Sequence, residues 1–300
     1  MKINTLNKEF NKAYSYYSYV VEKPIMNVIV AHGLAEDAIR YEYFATELNK
    51  HDINVFCINH LAHGADYTNL ELGHWEEGDF DACLANIKDL LVNVKKEHPN
   101  IPNVLMGHSM GSFMVQKFEL LYPKMFNGHI LMGCAKADTL FKLGYVASKV
   151  FGFFSKPKKR LKIMNTLAFG SFNKAFRPNK TDFDWLSKNV ENCITYDKMR
   201  TCGYICTSSF YKEFYKNVSQ IPNKEYDNLI DKNYPILLVG GSDDMVSNKG
   251  KKLIELKDYY ALQSDNVSYK IYQDNRHEIL NEDDRDEVIK DIVDWLKKLL

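Results

Sequence analysis

The chain lacks any uninterrupted run of about 18 apolar residues, the length that a helix needs to cross a bilayer. Its first ten residues, MKINTLNKEF, also lack the apolar stretch of a secretory signal. Neither sign of charge is in excess, because 39 Lys and Arg balance 39 Asp and Glu. A dedicated nucleic-acid binder would normally be basic. We therefore expect a cytoplasmic protein without a nucleic-acid partner.

Cysteine is also sparse, with six residues scattered over 300 positions and mostly in apolar context. A disulfide framework is not expected in a chain of this length. Cys202 and Cys206 form a lone C-x3-C pair, with neither a histidine nor a second cysteine pair nearby. A metal site there is the minor alternative. We predict no metal ion and no cofactor.

Short apolar segments alternate with stretches whose apolar residues recur every three or four positions. Strands are predicted at 27–31, 53–58, 103–106, 128–132, 236–240 and 267–272, and helices at 36–50, 79–96, 110–121, 247–262 and 284–299. This order predicts an α/β protein with a mostly parallel, doubly wound sheet that is covered on both faces.

The alternation is interrupted between the fourth and fifth strands, where residues 135–220 contain no strand-like run. We predict a core built from residues 1–134 and 221–300, with a helical lid inserted at 135–220. The insert has 16 Lys and Arg against 6 Asp and Glu, and it holds 16 of the 39 aromatic residues. A basic, aromatic-rich lid above the strand ends would shape an apolar pocket.

A nucleophile motif, G-x-S-x-G, occupies residues 107–111, GHSMG, between a predicted strand and a predicted helix. This is the context that a nucleophile elbow requires, because the turn is too tight for side chains at either glycine. Ser109 is the candidate nucleophile. The alternative is a Gly-Ser turn that only connects the strand to the helix.

A serine hydroxyl needs a base to act as a nucleophile. In proteins with a nucleophile elbow, the order along the chain is serine, acid, histidine. Of the nine histidines only His129 and His277 follow Ser109, and only His277 follows the resumed sheet. His277 is the candidate base, and a solvated loop histidine is the alternative. The acid should follow strand 236–240, where Asp243 and Asp244 compete and the chemistry alone does not separate them.

The oxyanion of an acyl-transfer reaction is usually stabilised by two backbone N–H groups. One should come from Met110, the residue after the nucleophile. The other should come from the loop after the strand at 27–31, where Gly33 allows close approach and Leu34 is the candidate donor.

These motifs together resemble the monoacylglycerol lipase and lysophospholipase branch of the α/β-hydrolases, which overlaps with serine aminopeptidase-like hydrolases. The resembling segments are HGLAEDAIRYEYFATEL (32–48), NHLAHGAD (59–66), GHSMG (107–111), GSDDMVSNKG (241–250) and RHEILNE (276–282). The resemblance implies Asp244 as the acid and Leu34 as the second oxyanion donor. Asn59 and Ala62 stand where the family often has Asp and Gly, so that loop can differ in shape. FGSFNKAFRP and FDWLSKN (169–178, 183–189) resemble the lid of bacterial relatives.

The insert supplies aromatic residues that either line a substrate pocket or pack the lid onto the core. The candidates for the lining are Phe151, Phe153, Phe154, Phe169, Trp185, Tyr204 and Phe210. The run KPKKRLK (156–162) is either a contact for anionic lipid headgroups or a solvated basic loop.

The resemblance and the motifs together predict a serine esterase of lipid metabolism that cleaves a carboxylic ester with one acyl chain, as in a monoacylglycerol or a lysophospholipid. An acyl-Ser109 intermediate resolved by water needs no cofactor. An aminopeptidase would need acidic groups for a free α-amine, whereas the insert is basic. Epoxide hydrolase or dehalogenase chemistry would place Asp at position 109. A non-catalytic binding module on the same fold is the other alternative.

Overall fold

A computed structural model describes residues 2–6, 14–221 and 230–300, with the backbone alone described for residues 2–6. Its centre is an eight-stranded sheet in the order β1-β2-β4-β3-β5-β6-β7-β8. The strands are β1 Lys2–Leu6, β2 Tyr14–Tyr19, β3 Met26–Ala31, β4 Ile53–Ile58, β5 Asn103–His108, β6 Gly128–Met132, β7 Ile236–Gly241 and β8 Val267–Tyr272. The first two strands pair antiparallel, and β3 to β8 run parallel.

Nine α-helices lie in the described ranges. They are α1 Glu42–Asn49, α2 Asp79–Glu97, α3 Met110–Leu121, α4 Thr139–Phe153, α5 Lys162–Phe169, α6 Val190–Lys198, α7 Ser208–Val218, α8 Lys251–Ala261 and α9 Arg285–Lys297. Within these ranges, none of the helices is both long enough and apolar enough to cross a bilayer.

The helices cover both faces of the sheet, which is why strands such as β3 (MNVIVA) and β4 (INVFCI) are buried along their whole length. Side chains of α2, α3, α7 and α8 pack on one face, and those of α1 and α9 pack on the other. The prediction of a mostly parallel, doubly wound α/β sheet is confirmed.

The sequence prediction did not include β1 and β2, which form an antiparallel pair at one edge of the sheet. The second of these strands reads YSYYSY, so it has no apolar run to mark it. Its residues are nonetheless buried, because Tyr14 and Tyr16 pack on one face of the sheet while Tyr17 and Tyr19 pack on the other.

Four helices, α4 to α7, connect β6 to β7. The described part of this connection adds no strand to the sheet, and its one isolated bridge joins Arg160 to Thr207. The connection therefore begins at the carboxyl end of β6 and consists of helices until the chain re-enters the sheet at β7. Ser109, Asp244 and His277 follow β5, β7 and β8, so all three also lie at the carboxyl ends of the parallel strands.

Candidate active site

The turn between β5 and α3 holds Ser109 in a strained backbone conformation, with φ of 51° and ψ of −115°. Glycine is required on both sides of it. A Cβ at Gly107 would lie 2.3 Å from the carbonyl oxygen of Gly111, and a Cβ at Gly111 would lie 2.0 Å from that of Ala31. The packing of α3 against β3 thus depends on these two glycines. Ser109 is presented at the N-terminus of α3, where the helix dipole favours negative charge.

The candidate base and acid form a buried pair. His277 Nδ1 lies 2.9 Å from Asp244 Oδ1, which also accepts the Val246 N–H at 2.8 Å. Burial alone would raise the pKa of Asp244, but its contact with His277 and the hydrogen bonds it accepts hold that pKa below its usual value. An ionised Asp244 accepts a hydrogen bond from the Nδ1–H group of His277. The other ring nitrogen, Nε2, is then unprotonated and can accept a proton.

The imidazole of His277 contacts two other rings. Its ring centroid lies 4.8 Å from that of His108 and 5.2 Å from that of Trp185, a residue of the insert. Its Nε2 has no hydrogen-bond partner among the described residues, and its ring lines the same cavity as Ser109. The ring nitrogen opposite Asp244 is therefore the one that can serve the nucleophile.

The loops after β7 and β8 approach so closely that Gly241 cannot carry a side chain. A Cβ there would lie 2.0 Å from the carbonyl oxygen of Asn275 and 2.3 Å from that of Arg276. Asp243 donates its backbone N–H to Asn275 at 2.9 Å, whereas the carboxylate that reaches His277 belongs to Asp244. The sequence left open whether Asp243 or Asp244 is the acid. The contact between the loops after β7 and β8 brings Asp244 to His277.

The candidate oxyanion donors Leu34 and Met110 lie beside Ser109 on the wall of one cavity. Gly33 brings the first loop against the nucleophile, since a Cβ there would lie 3.2 Å from Ser109 Cβ. The Gly33 N–H donates to Glu36 Oε1, as does the Tyr41 hydroxyl at 2.9 Å. Glu36 therefore fixes the loop that carries Leu34.

Behind this loop, Glu36, Arg40, Glu278 and His108 form a buried ion cluster. Arg40 donates to both oxygens of Glu278 at 2.6 Å and to Glu36 at 2.7 Å. Asn192, on α6 of the insert, donates to Glu278 at 2.8 Å. Since Glu278 follows the candidate base directly, the ion cluster ties the oxyanion loop, the base loop and the insert together. The sequence analysis did not identify this role. All three charged residues lay in quoted motifs, Glu36 and Arg40 in 32–48 and Glu278 in 276–282, but neither segment by itself showed that they pair with each other.

His108 completes the charge balance of the ion cluster. Its Nδ1 lies 3.2 Å from Glu36 Oε1, and its Nε2 lies 3.4 Å from the carbonyl oxygen of His277. Burial opposes the charged form, but Glu36 raises the pKa of His108 above its ordinary value. When the ring is protonated it donates to both oxygens, and the two carboxylates of the ion cluster then face two cations.

Three other histidines, His32, His60 and His63, are fully buried under the oxyanion loop. The His32 ring lies 4.4 Å from that of His60 and 5.2 Å from that of His63. Burial lowers the pKa of all three, and that of His63 falls to about 3. Each ring is therefore neutral in the folded protein at a pH where it is charged in the unfolded chain.

We expect acid to destabilise the fold through these rings. Below about pH 6.5 the unfolded chain binds protons that the folded rings refuse, so the free energy of unfolding falls as the pH falls. Each ring contributes about 1.4 kcal/mol per pH unit. The raised pKa of His108 adds little slope in this range, because below about pH 6.5 that ring is protonated in the folded and in the unfolded chain alike. His63→Asn should reduce the change in the free energy of unfolding between pH 6 and pH 5, measured by urea denaturation, by about one such increment. The exposed His51→Asn is the control, and equal slopes for His63→Asn and the parent would contradict the expectation.

Two cavities meet at Ser109. The larger, of about 740 Å³, is lined mainly by apolar side chains such as Phe113, Met164 and Phe214. The smaller, of about 400 Å³, has a mixed lining, in which polar residues such as Asn165 and Asp182 lie beside aromatic ones such as Trp185. Leu34, Ser109 and Phe169 line both. The nucleophile therefore lies between an apolar compartment and a second compartment whose lining is more polar.

The aromatic residues proposed for the pocket lining separate into two groups. Phe169, Trp185 and Tyr204 line these cavities. The other four line neither: Phe210 is buried with its ring 4.1 Å from that of Trp75, Phe151 packs against the core, and Phe153 and Phe154 are 85% and 79% exposed. The sequence pattern did not separate cavity wall, core and surface, because these aromatic residues occur in all three places.

The thiols of Cys202 and Cys206 are free and buried. In the part of the chain that the structure describes, no group of three or more histidine, cysteine or carboxylate side chains is arranged to hold a metal ion.

The model of the family "Serine aminopeptidase, S33" matches residues 22–284. A monoglyceride lipase homolog of Monkeypox virus is 23% identical over 295 residues, which cover 97% of this chain and 96% of the viral protein. A monoacylglycerol lipase of Mycolicibacterium smegmatis is 24% identical over 274 residues, covering 90% and 87%. A thermostable carboxyl esterase from Bacillus coagulans, solved with glycerol, superposes with a TM-score of 0.89 at 22% identity, covering 100% and 99% of the two chains. At this identity the superposition shows the shared fold.

Proposed function

Because the chain belongs to the serine aminopeptidase S33 family, in the monoacylglycerol lipase-like branch of the α/β-hydrolases, we propose that it hydrolyses carboxylic esters at Ser109. The substrate class is a lipid with one acyl chain, of the monoacylglycerol or lysophospholipid type. The observation that carries this proposal is the meeting, at one serine, of an apolar cavity and a second cavity whose lining is more polar.

The proposed reaction begins when Ser109 Oγ attacks the ester carbonyl and gives its proton to His277 Nε2. Asp244 accepts the hydrogen bond from Nδ1 and stabilises the imidazolium. The oxygen that becomes negative is bound by the Leu34 and Met110 N–H groups. His277 then returns the proton to the departing alcohol. Water, activated by the same ring, releases the acid from acyl-Ser109.

The cavities give each half of the substrate a place. The larger cavity suits the acyl chain, because its wall is apolar and moving the chain from water to an apolar wall is favourable. The smaller cavity suits the alcohol, whose hydroxyl groups need hydrogen-bond partners when they are buried.

An aminopeptidase is the second candidate function, since the family model carries that description and Asp182 lines the smaller cavity. Such an enzyme needs a carboxylate that is free to bind an α-amine. The two other carboxylates on that wall, Glu36 and Glu278, already bind Arg40. Because these two carboxylates are paired with Arg40, we favour an ester over a peptide as the substrate.

A substrate panel tests the proposal. Nitrophenyl esters from acetyl to palmitoyl, a monoacylglycerol, a lysophosphatidylcholine and aminoacyl nitroanilides are compared under one condition, with a fluorophosphonate probe that reports the active serine. We expect turnover of the esters and a preference for medium or long acyl chains. Turnover of the nitroanilides alone would establish the peptidase, and turnover of neither class would overturn both.

Narrowing the larger cavity should change the chain-length preference. Ala147, on α4, lines this cavity, so Ala147→Phe fills space that the end of the acyl chain would use. Each methylene excluded costs about 0.8 kcal/mol, so exclusion of two or more lowers kcat/KM for long-chain esters by at least about tenfold. Hydrolysis of the acetyl ester should change little.

The control is Ala175→Phe, an exposed position in the same insert. It should leave the whole chain-length profile unchanged. If Ala147→Phe lowered acetyl and palmitoyl turnover equally, the larger cavity would not be the acyl site.

A further inference from the structure

The loop that carries His277, residues 273–278, belongs to neither a strand nor a helix. Its position therefore depends on the contacts that its residues make with the rest of the protein. On the side of the core, Asn275 accepts the backbone N–H of Asp243 at 2.9 Å. On the other side the loop meets the insert, and Arg276, directly before the candidate base, makes that contact.

The Arg276 side chain binds the insert through its hydrogen-bond donors and through the face of its guanidinium. Its Nη1 donates to the carbonyl oxygen of Asp184 at 2.6 Å and to that of Ser187 at 3.0 Å. Its Cζ lies 4.0 Å from the centre of the Phe176 ring, a distance at which an aromatic ring attracts a cation. A planar guanidinium with donors in fixed directions suits this combination of contacts better than the ammonium of a lysine would.

Two further contacts join the loop to the same part of the insert. Glu278 donates its backbone N–H to the carbonyl oxygen of Leu186 at 2.7 Å. The buried carboxylate of Glu282 accepts the backbone N–H of Arg276 at 2.8 Å on one oxygen and the Ser187 hydroxyl at 2.7 Å on the other. The residues before and after the base are thus both bound to the insert.

Trp185 lies between the two residues whose carbonyl groups Arg276 binds, and its ring contacts the imidazole of His277 with 5.2 Å between the centroids. Its own backbone N–H donates to the Asn173 side chain at 3.0 Å. The contacts form a closed path, which runs from His277 through Arg276 to the insert and returns through the Trp185 ring. Arg276 therefore holds both the backbone that carries the imidazole and a ring that the imidazole contacts.

The hydrogen bond from His277 to Asp244 fixes one atom of the imidazole, Nδ1. The position of the opposite nitrogen, Nε2, depends also on where the backbone of His277 and the neighbouring rings lie. A displacement of about 1 Å between reacting groups can cost about 100-fold in rate. The contacts that place this backbone therefore bear directly on proton transfer from Ser109.

We propose that Arg276 is a positioning residue of the hydrolase, which holds His277 so that Nε2 reaches Ser109 by binding the carbonyl oxygens of Asp184 and Ser187. The insert is then part of the support of the base as well as a cover for the site. The inference rests on the proposed ester hydrolysis, because it concerns how the base of that reaction is held. Arg276 acts through His277 and lines neither of the two cavities at the nucleophile.

The test measures turnover for each active molecule of the full chain. Arg276→Ala and the parent are labelled to completion with a fluorophosphonate, which counts the molecules with a reactive serine, and hydrolysis of one nitrophenyl ester is measured in parallel. We expect kcat per labelled molecule to fall by roughly 10–100-fold, with little change in KM. A role in folding alone would reduce the number of labelled molecules and leave kcat for each of them unchanged.

Chemical rescue identifies the missing group. Arg276→Ala leaves a space between the Phe176 ring and the two carbonyl groups, into which a free guanidinium ion fits. Millimolar guanidinium chloride should restore part of the lost turnover, and sodium chloride at the same concentration should not. Arg276→Lys keeps the charge without the planar group, so its kcat should lie between those of the parent and Arg276→Ala.

The matched control is Arg200→Ala. Arg200 is another arginine of the insert, and its guanidinium donates to the carbonyl oxygens of Tyr67 at 2.8 Å and Ala65 at 3.1 Å. These hydrogen bonds are of the same kind, but they join the insert to the loop after β4. Its kcat per labelled molecule should equal that of the parent, with and without guanidinium.

The proposal would be overturned by an unchanged kcat per labelled molecule in Arg276→Ala, by an equal loss in Arg200→Ala, or by a loss that guanidinium does not reduce. If Arg276→Ala does not fold, Arg276→Lys decides, and parental turnover in that variant would contradict the proposal. A parent that hydrolyses no ester would instead contradict the proposed function. The two failures are therefore distinguishable, since the second is seen in the parent alone.

Discussion

Ser109→Ala is expected to abolish labelling by a fluorophosphonate and to lower kcat for an ester substrate by roughly 10⁴–10⁶-fold. The elbow explains the size of the effect. Its strained backbone and two obligatory glycines hold one hydroxyl beside the candidate oxyanion donors. Gel-based labelling and steady-state kinetics on the purified variant measure both quantities.

The matched control is Ser171→Ala, which removes another hydroxyl from the wall of the larger cavity. It should retain labelling and turnover. The double variant Ser109→Ala with His277→Ala should be no worse than either single variant, because the two residues act as one unit. Retained labelling in Ser109→Ala would assign the nucleophile elsewhere.

Asp244→Asn is expected to lower kcat by roughly 10⁴-fold, the loss seen when the orienting carboxylate of a comparable triad becomes an amide. The amide cannot both accept the His277 ring proton and balance the charge of the imidazolium. Burial aggravates this loss, because Asp244 is fully inside the protein and water cannot compensate for the missing negative charge.

Asp243→Asn provides the comparison one residue away. It keeps the backbone N–H that Asp243 donates to Asn275, and it should change kcat by much less than Asp244→Asn. Thermal unfolding of both variants separates damage to the fold from damage to catalysis. A larger kinetic loss for Asp243→Asn would show that the acid had been misplaced by one residue.

The inner strands of the parallel sheet were predictable because burial on both faces forces them to be continuously apolar. The predicted segments 53–58 and 128–132 coincide with β4 and β6. The segment 267–272 coincides with β8, which lies at an edge and is only partly buried. The strand β2 did not show this signal, since it consists only of tyrosine and serine. Its burial depends on helices that are distant in the sequence.

The candidate nucleophile was predictable because the strand, the two glycines and the helix that form the elbow are consecutive in the sequence. The ion cluster was not, because Glu278 lies 238 residues from Arg40. The same limit applies to the aromatic residues of the insert. Phe154 and Phe169 look alike in sequence, yet one faces solvent and the other lines both cavities.

The ion cluster also bears on how this chain could be made more heat-resistant. Replacing a buried ion network by apolar residues of similar volume is often neutral or stabilises a protein by about 1–4 kcal/mol. A thermostability screen would therefore favour such replacements at Glu36, Arg40 and Glu278. Each would release a loop that the present network holds beside Ser109, so gains in melting temperature would come with losses in turnover. Libraries meant to keep activity should leave these positions unchanged and vary the surface of α9 instead.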